Sequence, residues 1–274
     1  SFLVYYFLRG YIWKRLVKQL GYEMAYKDTN FIWAASELQR YIPGNIWSFL
    51  GRTIMLSEKG MTKKDIAKCT IYEIQFLLLG SALASFLSLP FLIKYLNFPD
   101  LSLLIILIFL LLGVLYTFHK KFKIKFLFLP QFSPSETIFI IFLNALLFFF
   151  FGLVYYFSFI SFIFIDPNLI WQITGVSVLA YLTGYLSILT PSGIGVREGA
   201  LVFALSKIMS SATAGFVALF GRFMLIVAEI IFVAISYVWH KTKNRFVTKL
   251  ETWIHENPHL TILIGLILIY ILYL

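Results

Sequence analysis

The sequence predicts an all-α fold, a polytopic transmembrane helical bundle, on three observations. Sixty per cent of the 274 residues are apolar and 13 % are charged, where a soluble domain carries about a quarter charged residues. The apolar residues fall in long runs, and a bilayer crossing needs roughly 20 such residues. Two of the runs are interrupted by proline and glycine, one in each half of the chain. Interrupted apolar segments in corresponding positions point to two inverted-topology repeats, each containing a re-entrant, broken-helix hairpin. The expected division is residues 1–125, with a hairpin at 31–56, and residues 126–274, with a hairpin at 169–209.

The first apolar segment ends in Lys14, Arg15 and Lys18, which places that end in the cytoplasm by the positive-inside bias. Residues 1–13 make only about 20 Å of helix at 1.5 Å per residue, so the chain is expected to begin inside a helix of a longer protein. Arg9 lies close enough to the end to snorkel. Residues 31–56 enter the apolar phase but are followed by Lys59, Lys63, Lys64 and Lys68, again a cytoplasmic signature. Both flanks on one side predict a hairpin turning near Pro43 and Gly44. The runs 70–93 and 101–118 then cross out and back to the basic stretch HKKFKIK at 119–125, and 137–165 crosses outward to Asp166. A hairpin at 169–209 entering from outside, followed by a crossing at 212–239, brings the chain to HKTKNR at 240–245. On this layout sixteen of the 23 Lys and Arg are cytoplasmic, an asymmetry that supports it. The final run, 260–274, is short for a crossing.

The spacing of the halves agrees with a repeat. Pro43 precedes the intramembrane Glu73 by 30 positions, and Pro191 precedes the intramembrane Arg222 by 31. Around the second break, LTPSGIGVREG at 189–199 sets Arg197 and Glu198 directly after a stretch, 167–196, without any charge. Broken backbone at membrane depth is tolerated only inside protein or beside a wet cavity, where freed amides and carbonyls find partners. The first break, YIPGNIWSFLGR at 41–52, has the same ingredients and ends in Arg52.

A charge at mid-depth costs roughly 2.5–3.5 kcal/mol, so each one needs a reason. The plain reason is internal pairing: Glu37 with Arg40, Arg52 with Glu73, Glu198 with Arg222. Glu229 follows Arg222 by seven residues, on nearly the same helix face, and reads as structural. The functional reason is an anion site. Arginine offers a fixed fork of donors suited to phosphate, and helix amino termini opened by the breaks offer unpaired N–H groups. The candidate substrate-binding residues are Arg40, Pro43, Gly44, Arg52, Glu73, Pro191, Ser192, Gly193, Gly195, Arg197, Glu198 and Arg222. Trp33, Tyr41 and Trp47 are weaker candidates for stacking on a sugar ring.

Several chemistries find no support. The net charge of +10 is explained by topology and attraction to anionic lipid, without nucleic acid. The single cysteine, Cys69, precludes an internal disulfide, and no zinc-type spacing appears among the four histidines. No catalytic triad or nucleotide-binding loop stands in a fitting context, so the chain is expected to be no enzyme and to carry no cofactor or metal.

LQRYIPGNIWSFLGR at 38–52, LTPSGIGVREG at 189–199, the Glu73 of IYEIQ, GRFMLIVAE at 221–229 and an Arg-bearing first helix together resemble the lysylphosphatidylglycerol synthase transmembrane-region family, also called flippase-like membrane proteins. The resemblance implies a multi-pass cell-membrane protein that translocates lipid, with the phosphate head group of a phospholipid or polyprenyl-linked lipid held between the two broken-helix hairpins. Some members are fused to a soluble transferase; residues 1–274 are expected to hold no such domain, so aminoacyl transfer is not expected of them. Alternatives are a non-transporting scaffold for a glycosyltransferase or lipid-modifying enzyme, and a small-anion transporter. The partners implied are an anionic lipid or lipid-linked saccharide, the membrane, such an enzyme, and a second copy of the chain as a homodimer.

Overall fold

A computed structural model describes residues 2–42, 47–86, 94, 132–162, 164–187 and 190–241. The turn at Pro43 and Gly44, most of the exit at 94–100, the run 101–118, the basic stretch 119–125, the division after residue 125 and the run 260–274 lie outside them. Among the described residues every regular element is helical. They are α1 (Phe2–Gln19), α2 (Tyr26–Leu38), a 3-10 turn (Gln39–Tyr41), α3 (Trp47–Ser57), α4 (Lys63–Ser85), α5 (Pro134–Ile160), α6 (Ile170–Leu186), a second 3-10 turn (Pro191–Gly193), α7 (Val196–Leu205) and α8 (Ser211–Lys241). At the second expected interruption α6 ends at Leu186 and α7 starts afresh at Val196, with a 3-10 turn between them; ahead of the first, α2 ends at Leu38. Among the described residues four helical segments are long and apolar enough to cross a membrane: α4, α5, Pro167–Leu186 and α8.

Helix boundaries follow local chemistry. The Ser133 hydroxyl accepts from the Glu136 N–H at 3.3 Å ahead of Pro134, the first residue of α5. Thr62 does the same for Asp65 at α4 and Ser210 for Thr213 at α8, each satisfying an amide that the helix cannot. The cap at Thr62 starts α4 seven residues before the apolar run, so its first turns lie in the lysine-rich segment. At the ends of α1 and α3 the chain leaves through glycines of positive φ, Gly21 and Gly60. Tyr22 N–H reaches Val17 O and Met61 N–H reaches Leu56 O, the paired six-to-one closures that a left-handed glycine permits.

The chain divides into two compact units that interleave in sequence. The first comprises residues 1–66, 188–192 and 220–274, and therefore holds α1, α2, α3 and most of α8. Its core is aromatic: Tyr6 stacks on Phe232 at 5.3 Å, and Phe7 and Trp33 meet the same ring edge-on. Beside this core Asn30, fully buried, donates to the Ser236 hydroxyl at 2.8 Å. A β-carbon on Gly10 would fall 2.0 Å from the Asn30 amide oxygen. A side chain at position 10 would displace the Asn30 amide, whose polar bond to Ser236 inside an apolar phase ties α2 to α8.

The second unit comprises residues 67–187 and 193–219. Here α6 packs on both α5 and α7. The approach of α5 to α6 is made at a glycine: a β-carbon on Gly152 would lie 2.4 Å from the Thr174 carbonyl. Large apolar side chains face outward, among them Ile138 and Phe142 on α5 and Leu219 and Phe223 on α8. On a soluble protein so much exposed apolar surface would drive association; against lipid it is the solvated face.

Candidate functional site

In the first unit the charges expected to need a reason form one network. Glu37, in the last turn of α2, accepts from two arginines at once: Arg40 Nη1 at 3.0 Å and Arg52 Nη2 at 2.8 Å. The fully buried Arg52 also donates from Nε to the Ser36 hydroxyl at 3.0 Å and lies over the Trp13 ring at 5.2 Å. α3 presents it inward because Ser48, Arg52 and Leu56 recur at four-residue intervals and are its buried residues. The same period leaves Trp47, Leu50 and Ile54 exposed on the other face. Arg40, on the 3-10 turn, reaches with Nη2 to Glu229 Oε2 at 2.7 Å. The same oxygen takes the Tyr41 hydroxyl at 2.8 Å and the Tyr6 hydroxyl at 3.2 Å. Glu229 is 1 % exposed, which a carboxylate tolerates only with such donors around it.

Seven residues back from Glu229, about two turns along the same face of α8, Arg222 completes the group. Its Nη2 donates to the carbonyl of Ser192 at 3.2 Å and to its hydroxyl at 3.0 Å, and its guanidinium lies 5.7 Å from the centre of the Tyr41 ring. Ser192 has φ 53° and ψ 24°, and is the positive-φ residue other than glycine among the described residues. That conformation costs an L-residue roughly 1–2 kcal/mol. Hydrogen bonds from a charged donor contribute about 1.5–3 kcal/mol, enough to hold it.

In the second unit Arg197 is housed differently. It is 4 % exposed and stands in the first turn of α7. Its guanidinium lies 5.3 Å from the ring centre of Phe151, 5.2 Å from Tyr155 and 5.0 Å from Tyr181, and Nη2 donates to the Tyr155 hydroxyl. It makes no ion pair with a carboxylate among the described residues. A desolvated cation–π contact contributes about 2 kcal/mol, so three rings can offset the roughly 2.5–3.5 kcal/mol of placing the charge at mid-depth. The break itself is shaped to bring α7 here. Gly193, with φ 68°, lies so close to α6 that a β-carbon would fall 2.4 Å from the Gly184 carbonyl, and one on Gly184 would fall 2.7 Å from the Arg197 β-carbon. Gly195, with φ 86°, precedes α7, and its N–H donates to Glu198 Oε2 at 2.7 Å. Glu198 thus neutralises the amino end of α7.

The candidates therefore divide between the units. Arg40, Arg52, Ser192 and Arg222 meet in the first, with Glu37, Glu229, Tyr6 and Tyr41 added to them. Gly193, Gly195, Arg197 and Glu198 gather in the second, and the buried Glu73 sits there on α4. Pro191 opens the 3-10 turn whose second residue is Ser192. The expected pair of Glu37 with Arg40 is present, and Glu37 holds Arg52 as well. Arg9 does not snorkel: it is buried over the Trp33 ring at 5.6 Å. Trp33, enclosed by Tyr6 and Phe232, presents no open face for a sugar. The cage around Arg197 escaped the sequence reading, because among 30 Phe and 16 Tyr nothing marks Phe151, Tyr155 and Tyr181 apart except the four-residue spacing of the first two.

The family model of the lysylphosphatidylglycerol synthase TM region matches residues 1–232. No curated protein matches the chain, and no solved structure does. With four crossing-length helices and a match over most of its length, this multi-pass membrane protein belongs to the lysylphosphatidylglycerol synthase TM region family.

Proposed function

We propose that the protein is a lipid translocase that binds the anionic phosphate head group of a phospholipid or polyprenyl-linked lipid at the arginines beside its two helix breaks. The observation that carries this reading is Arg197, a buried guanidinium held by aromatic rings with no carboxylate partner among the described residues. A cation left uncompensated in this way keeps its full attraction for an anion, and its fork of donors suits a phosphate. Arg222, which donates to the neutral Ser192, is the anion-binding arginine of the first unit in this reading. Arg40 and Arg52, balanced by Glu37 and Glu229, serve the scaffold more than the ligand.

The breaks fit the same reading. In this reading each break enters and leaves the bilayer on one side, the two form an inverted-topology pair, and each supplies backbone donors and a hinge. Apolar outward faces on α3, α5 and α8 leave the lipid tails in the bilayer while the head group meets the arginines.

Proteoliposomes holding a short-chain fluorescent phosphatidylglycerol test this by quenching of the outer leaflet. The wild-type protein should equilibrate the label between leaflets, and Arg197→Ala should slow it at least tenfold. Unchanged movement in a protein carrying both Arg197→Ala and Arg222→Ala would exclude the site.

A further inference from the structure

We propose that α8 couples the two helix breaks, with Arg222 and Glu229 as positioning residues that make the conformation of the Pro191–Gly193 turn depend on that of the Gln39–Tyr41 turn. The coupling does not depend on what the arginines bind. It rests on an unbroken set of contacts inside the first unit. Tyr41, from the first turn, gives its hydroxyl to Glu229 Oε2 at 2.8 Å and its ring to Arg222 at 5.7 Å. Arg222 in turn donates to the Ser192 carbonyl and hydroxyl, at 3.2 and 3.0 Å. The Ser192 backbone is in the left-handed region, so its geometry depends on the donor that holds it.

The network also has a second arrangement available to it. Three donors, from Arg40, Tyr41 and Tyr6, crowd onto Glu229 Oε2. Glu229 Oε1 and Arg40 Nε are buried with no hydrogen-bond partner among the described residues. A donor can move from one carboxylate oxygen to the other without loss of a bond, and when the Tyr41 hydroxyl is the one that moves it carries with it the ring on which Arg222 rests. Coupling between sites is physical when a discrete element with two arrangements touches both, and the α8 face from Arg222 to Glu229 is such an element.

The test uses the full chain in lipid nanodiscs with the buried Cys69 replaced by alanine and a reporter cysteine, Thr190→Cys, beside the second turn. The rate of maleimide labelling is read while the first turn is altered. Tyr41→Phe, which removes the bond to Glu229 and keeps the ring, should change the rate about fivefold, and Glu229→Gln should do likewise. With Arg222→Lys already present, Tyr41→Phe should have no further effect. Tyr26→Phe, which removes a 2.6 Å bond to the Phe7 carbonyl in the same unit, should leave the rate unchanged. The proposal is overturned if Tyr41→Phe leaves labelling as it was, if its effect persists undiminished beside Arg222→Lys, or if Tyr26→Phe matches it.

Discussion

Arg52 and Arg197 are both buried guanidiniums beside a helix break, and the protein solves the same problem for them in opposite ways. Arg52 sits in the first unit on a carboxylate, a hydroxyl and one indole. Arg197 sits in the second unit on three aromatic rings and a phenol. A carboxylate cancels the charge; rings lower its cost and leave it positive. The first solution makes structure, and the second makes a cation that a ligand can still use.

Removing one group from each setting should expose that difference. Glu37→Ala leaves Arg40 and Arg52 without their shared carboxylate, and stranding a buried partner costs about 3–5 kcal/mol. This is the largest expected effect on stability, read as the loss in free energy of unfolding in detergent. Arg197→Met should move stability by no more than about 1 kcal/mol, because the lost cation–π contacts and the relieved insertion cost are of similar size. Its effect should fall on lipid movement. Comparable destabilisation by the two variants would show that Arg197 is as structural as Arg52 and would erase the contrast.

The second setting has its own weak point. Gly184→Ala puts a β-carbon 2.7 Å from that of Arg197, and overpacking of this kind costs about 1–3 kcal/mol. Since α7 must move to make room, Arg197 should leave its rings, so lipid movement should fall together with stability. Gly199→Ala is the matched control: its β-carbon meets nothing within 4 Å, and stability and transport should both hold.

Much of this was legible in the sequence, for reasons that particular residues make plain. Helix existence followed from apolar run length, and the second break from Pro and Gly set against long apolar surroundings, since few residues can hold a positive φ such as that of Gly193 or Gly195. Charge in an apolar run marked Arg52, Arg197 and Arg222 without any knowledge of their neighbours, because the cost of burial is a property of the residue itself. Partner choice was not legible in the same way. Glu229 read as structural by its face alone, yet it collects donors from α1 and from the first break. Those partners lie 188 residues or more away along the chain, and no local period encodes them. Ser192 was singled out for breaking the helix, not for the αL backbone that Arg222 holds.

The smallest effect sharpens the comparison most, because it sets two pairs of equal separation in different degrees of burial. His240 Nδ1 lies 2.8 Å from Asp28 Oδ1, the same separation as Arg52 Nη2 from Glu37 Oε1. The side chains of the first pair are 29 % and 25 % exposed, and those of the second 2 % and 16 %. Asp28→Asn keeps the shape of the contact and leaves the His240 ring stacked on Phe31 at 4.7 Å, so it removes charge alone. With the imidazole protonated, a partly solvated pair contributes about 0.2–1 kcal/mol, and at 1 M salt, where screening acts over about 3 Å, even that should vanish. The Glu37 effect should survive the same salt, because ions do not enter the apolar interior where Arg52 lies. If both effects fade together as salt rises, the network around Glu37 is wet, its charges are screened, and burial is not what separates the arginine of the first unit from that of the second.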